Sequence, residues 1–120
     1  MSLSTSTMIL HVRTTTRTSP AAILAESAGA ARAIAAVPGL IWKVWILDEA
    51  ASELGGVYLF ASRAQAQAYA DGPILEHLRH DPRVARVEHR IWDTHALSAL
   101  TRAPEAVPQP ASPVVAKEVA

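Results

Sequence analysis

Lys43 stands between Trp42 and Trp45 in the run Pro38-Gly39-Leu40-Ile41-Trp42-Lys43-Val44-Trp45, and no other lysine precedes Lys117 near the C-terminus. Nine of the eleven basic residues are arginine, so this amine is chemically singular in the body of the chain. An ammonium held among indoles loses water, and that loss lowers its pKa. The amine then becomes a base, or a cationic anchor for a phenolate or carboxylate. An ordinary reading competes: an edge-strand lysine can lay its stem along a ring, keep its charge in solvent and discourage aggregation.

The run Gly55-Gly56-Val57-Tyr58-Leu59-Phe60 adds a phenol and a phenyl ring. Trp42, Trp45, Tyr58 and Phe60 would line a slot for a flat apolar ligand, or else form the core of a small sheet. With six aromatic residues in all, the core claims most of them. Tyr58 is the best exception, because a buried hydroxyl needs a partner and a pocket supplies one.

Five histidines add further candidates. His11 and His89 fall on apparent strands beside Ile9, or Val87 and Ile91, where either is a proton acceptor near neutral pH or a satisfied core residue. His77 and His80 are spaced to share one side of a helix next to Asp81, but no third ligand follows at a recognisable interval. The negative end of a short helix accounts for both, so no metal is expected. His95 is expected to be exposed.

The elements that position these groups follow from local pattern. Met8 to Val12 reads as a strand. Ser19-Pro20 begins a helix whose positions Leu24, Ala28, Ala31 and Ala35 share a face, and Val37-Pro38-Gly39 ends it. Strand two puts Ile41, Lys43 and Trp45 on one face and Trp42, Val44 and Ile46 on the other. Gly55-Gly56 opens strand three with residues suited to a bulge or tight bend. Ser62 with Gln65 fits a capping box, and Gly72 suits a left-handed helix end. Pro73 starts a second short helix, Val84 to Trp92 forms strand four, and Asp93 or Thr94 could cap a last short helix to Arg102.

The order β-α-β-β-α-β is that of an α+β, ferredoxin-like sandwich with helices on one sheet face. Strand two lies at an edge and is apolar on both faces, which predicts a homodimer with two sheets face to face. A domain this small gains much by covering a bare sheet. The hollow beside Lys43 is expected to close only when two copies associate, although strand alternation leaves open which sheet face lines it. Domain bounds are expected at 7–103, with residues 1–6 and the Pro/Ala-rich 104–120 disordered.

The motifs Pro-Gly-x-x-Trp-Lys-Val-Trp, Gly-Gly-x-Tyr-Leu-Phe and Ala68-Tyr69, with the strand Val87 to Trp92 and Leu97 to Pro104, resemble the YdhR-type monooxygenase family. The resemblance covers roughly Met8 to Pro104 and is weaker at Thr14 to Ser19. It implies a small dimeric α+β barrel related to the antibiotic-biosynthesis monooxygenases. It also implies a cofactor-independent oxygenase acting on an aromatic or polyketide-like molecule. On that reading Lys43, Tyr58, His11 and His89 are the catalytic candidates, and Trp42, Trp45 and Phe60 the substrate wall. A cyclase, isomerase or dehydratase on the same fold, or a ligand-binding module without chemistry, remain alternatives.

Composition excludes other classes. The formal net charge is zero over 120 residues, which gives no field for a phosphate backbone, so no nucleic acid is expected. Cysteine is absent, which removes disulfides, thiolate nucleophiles and sulfur-ligated zinc. Neither a dinucleotide fingerprint, a phosphate loop nor a nucleophile elbow occurs. With neither a signal peptide nor a membrane span legible, a cytoplasmic location is expected.

Overall fold

Residues 7–101 and Ala103 are described by the structure, a computed structural model, so the expected disorder at 1–6 and 104–120 lies outside the described residues. Four strands, β1 (Met8–Thr16), β2 (Leu40–Asp48), β3 (Glu53–Phe60) and β4 (Val84–Asp93), form one antiparallel sheet in the order β2-β3-β1-β4. This is the expected ferredoxin-like order, with β2 at an edge. Four short helices pack on one face: α1 (Pro20–Ala25), α2 (Ala28–Ala35), α3 (Arg63–Ala70) and α4 (Pro73–Arg79). The last helix is a 3₁₀ segment, Ala96–Thr101.

The first helix departs from expectation. It divides at Glu26–Ser27, where the Ser27 hydroxyl donates to the Ile23 carbonyl at 2.9 Å instead of leaving that group to an unbroken helix. The break resets the helical phase. Ile23 and Ile34 are buried, while Ala28 and Ala35, placed on the inner face by spacing alone, are exposed. Branched side chains have more apolar area to lose to water than alanine, and they decide the orientation. The caps behave as expected: Ser19 Oγ accepts from Ala22 N, and Ser62 Oγ accepts from Gln65 N, each at 3.2 Å.

Glycine usage also differs. Among the described residues positive φ occurs at Gly39 and Ser52, whereas Gly72 has φ −92° and caps the start of α4. Gly55 and Gly56 make no bulge and pair regularly with Arg13 and Val12. They are needed for close approach. A Cβ on Gly55 would collide with the Val12 carbonyl, and one on Gly56 with the stem of Lys43.

The core lies between helices and sheet, where Leu10, Val12, Tyr58 and Phe60 meet Ile34, Ala66, Tyr69 and Leu75. The opposite sheet face is left uncovered by the described residues. Val44 and Trp92 are 52% and 45% exposed there, and Ile46 is also exposed. No helix among the described residues is long and apolar enough to cross a membrane.

Candidate functional site

Lys43 faces the helices. Strand alternation carries it and Trp45 to that side, opposite Tyr58 and Gly56 in the β2–β3 ladder. The amine Nζ sits 3.2 Å from the centroid of the Trp45 ring and 4.6 Å from that of Tyr58. Gly56 permits this, because the lysine stem lies across the space that any other residue's Cβ would occupy. Two aromatic faces favour the charged form by about 1 kcal/mol each. Loss of water acts against them, and burial by itself lowers the Lys43 pKa from 10.5 to about 7.

The amine borders a cavity of about 340 Å³ between sheet and helices, a size that suits a small organic molecule. Its wall is largely aliphatic: Ile23 and Leu24 from α1, Ile34 from α2, Leu54 from β3, Ile74 and Leu78 from α4. Among the described residues its titratable groups are Lys43, Tyr58, Tyr69 and His77, and no carboxylate lines it. All these groups belong to one chain. The small α2 alanines leave volume under the helices that the sheet side chains do not fill, so the hollow is present in a single copy, with an open mouth beside the partly exposed Trp45.

Two phenols form the polar end. Tyr58 Oη and Tyr69 Oη are 3.0 Å apart, buried, and have no other hydrogen-bond partner among the described residues. Burial pushes both hydroxyls above their usual pKa, so they stay protonated. Two O–H groups share one mutual bond, which leaves one proton to donate to a ligand. The Thr14 hydroxyl, on a wholly buried residue of the same wall, also lacks a partner. Such a group costs about 1–3 kcal/mol until water or a ligand satisfies it. Tyr69→Phe is expected to cost about 1 kcal/mol of stability by urea denaturation, and to weaken binding of hydroxylated more than unsubstituted aromatics by calorimetry.

Of the residues anticipated from sequence, Lys43, Trp45 and Tyr58 come together here. The others do not. His11 lies on the opposite sheet face, in a shallow hollow with Arg13 and Ile46. His89 faces the helix side on edge strand β4, but it is exposed and outside the cavity wall. Phe60 is fully buried core, and Trp42 points to the uncovered face, since β2 alternates about Lys43. Tyr69 was missed as a site residue, although its dipeptide Ala68-Tyr69 lies within the recognised motif. His77 was also missed as a cavity residue; it sits exposed at the rim, and among the described residues no histidine–carboxylate cluster suited to a metal forms.

Comparison with known proteins identifies the family and the fold. The family model described as "Putative mono-oxygenase ydhR" matches residues 9–104. The chain belongs to that family. The ydhR-family fold recurs in solved structures at low identity. The cofactor-independent oxygenase SnoaB from Streptomyces nogalater superposes with a TM-score of 0.60 at 15% identity, covering 75% of this chain and 94% of SnoaB. Protein NE2512 of unknown function from Nitrosomonas europaea gives 0.62 at 21%, covering 88% and 97%. An uncharacterized NIPSNAP-like domain protein from Burkholderia xenovorans gives 0.55 at 18%, with the same coverage. These likenesses establish the fold alone. No curated protein matches the sequence.

Proposed function

We propose that this ydhR-family chain is a cofactor-independent monooxygenase acting on a small, electron-rich aromatic or polyketide-like molecule. The observation that carries the reading is an amine set against two aromatic rings beside a largely aliphatic cavity, with no carboxylate in its wall among the described residues; burial there lowers its pKa to about 7. Near neutral pH the neutral amine is accessible and can accept a proton from an acidic hydroxyl or methylene of the substrate. The resulting ammonium then holds the substrate anion, while the spare phenol proton of the Tyr58–Tyr69 pair hydrogen-bonds its oxygen. Exclusion of water preserves the anion's reducing power toward oxygen.

The stoichiometry needs no external reductant. For an anthrone-type substrate the CH2 becomes C=O. One atom of O2 enters the product and the other leaves as water with the two methylene hydrogens. The expected result is oxygen uptake with anthrone-type or hydroxyphenol compounds, lost in Lys43→Ala. Uptake absent across a broad panel, or turnover that continues under argon, would overturn the oxygenase reading. The same base and donor also suit proton transfer alone, as in an isomerase or dehydratase, and anaerobic turnover selects that alternative.

The working unit is proposed to be a homodimer joined through the uncovered sheet face. Val44, Ile46 and Trp92 expose apolar area there that a second copy would remove from water. A Val44→Glu, Trp92→Glu double variant is expected to sediment as a monomer while the parent sediments as a dimer. An unchanged mass for both proteins would refute that interface.

A further inference from the structure

We infer that Lys43 is also a carbonyl-capturing nucleophile, and that the cavity takes a small apolar aldehyde or ketone as an imine on Nζ. This goes beyond the oxygenase reading and stands without it.

The geometry carries the inference. Among the described residues no carboxylate lies within ion-pair reach of Nζ, so no salt bridge holds the amine protonated. The groups that share its cavity are Tyr58 from β3, Tyr69 from α3 and His77 from α4; β1, α1 and α2 contribute no charge. A lysine desolvated in an apolar pocket is the form that attacks carbonyl carbon. Burial supports this by keeping much of the amine neutral at pH 7.

The step balances without a co-reactant. Neutral Nζ forms a bond to the carbonyl carbon, the C=O π pair moves to oxygen, and a proton passes from nitrogen to oxygen to give the carbinolamine. Loss of that hydroxyl with the second nitrogen hydrogen releases one water and leaves C=N. The uncommitted phenol proton of the tyrosine pair is a donor in the cavity for the departing oxygen. A carbonyl carried on a flat hydrocarbon fits, because the rest of the wall is aliphatic.

The chain contains its own control, since its lysines are Lys43 and Lys117. Full-length protein is treated with 2-naphthaldehyde and cyanoborohydride between pH 6 and 9, and labelling is mapped by peptide mass spectrometry. At pH 7 Lys43 is expected to be labelled at least about 10-fold faster than Lys117, because far more of it is neutral. Excess 2-naphthol, which matches the aldehyde in size but cannot form an imine, is expected to compete for the cavity, slowing Lys43 and leaving Lys117 unchanged. Equal rates at the two lysines, or labelling of Lys43 indifferent to 2-naphthol, would overturn the inference whatever the outcome of the oxygen measurements. Because both sites are read in the parent protein, the result does not depend on a variant that folds.

Discussion

Lys43→Met is expected to yield a protein that is inactive and more stable. The amine pKa falls from 10.5 to about 7 on folding. Between those values the unfolded chain binds a proton that the folded chain does not, so the parent gains stability as pH rises through this window. Below about pH 7 both states are protonated and the folded state bears the full cost of holding a charge away from water. Methionine removes that cost while keeping the stem volume over Gly56 and against Trp45. Allowing for water that still reaches the amine, the gain at pH 6 is about 2 kcal/mol, and it shrinks toward zero by pH 10. Urea denaturation at both pH values measures it. Activity moves the other way, with kcat/KM for oxygen-dependent turnover falling about 100-fold or more as the base is lost. A variant no more stable than the parent at pH 6 would mean that the ammonium is well hydrated, and the proposed chemistry would lose its base.

The adjacent glycines should behave in opposite ways, which separates folding from function. In Gly55→Ala the new methyl meets the Val12 carbonyl, a backbone group in the central strand that cannot step aside. Overpacking of that kind costs about 3 kcal/mol, so the variant should show a large drop in urea midpoint. In Gly56→Ala the methyl meets chiefly the Lys43 stem, which is flexible and can swing outward, and touches the Tyr58 ring at 3.0 Å, a contact that a shift of a few tenths of an ångström relieves. Stability should then change by less than about 1 kcal/mol, while the displaced amine regains water and its pKa climbs back toward 10.5. Activity at pH 7 should fall about 100-fold and partly recover at pH 9 to 10, where the rehydrated amine deprotonates. Equal destabilisation by the two substitutions would show that the lysine stem is as immovable as the strand.

Much of this architecture was legible because strand signals are local. The β2 alternation placed Lys43 and Trp45 together and Trp42 opposite. The β-α-β-β-α-β order gave the sheet order, with β2 on its edge. The helical half of the site was harder to read. Alanine-rich sequence from Ala21 to Ala36 carries little periodic contrast, so neither the break at Ser27 nor the inward turn of Ile23 and Ile34 showed in spacing. His11 and His89 illustrate a second limit. Both occupy strand positions as expected, but a strand residue's face says nothing about whether a helix covers that stretch of it. Tyr69 illustrates a third, since its role depends on meeting Tyr58 from another element, and no pattern within α3 announces that partner.

The contact between the Lys43 amine and the Trp45 indole gives the molecule an optical gauge of its own chemistry. A positive charge 3.2 Å above an indole perturbs the ring's excited state, and removing that charge, by deprotonation or by covalent capture, lifts the perturbation. Emission from Trp45 therefore reports the ionisation of the amine without an added dye. Trp92 stacks instead under Arg90, and Trp42 lies on the other sheet face, so neither ring touches the amine, and both supply the background against which that signal is read.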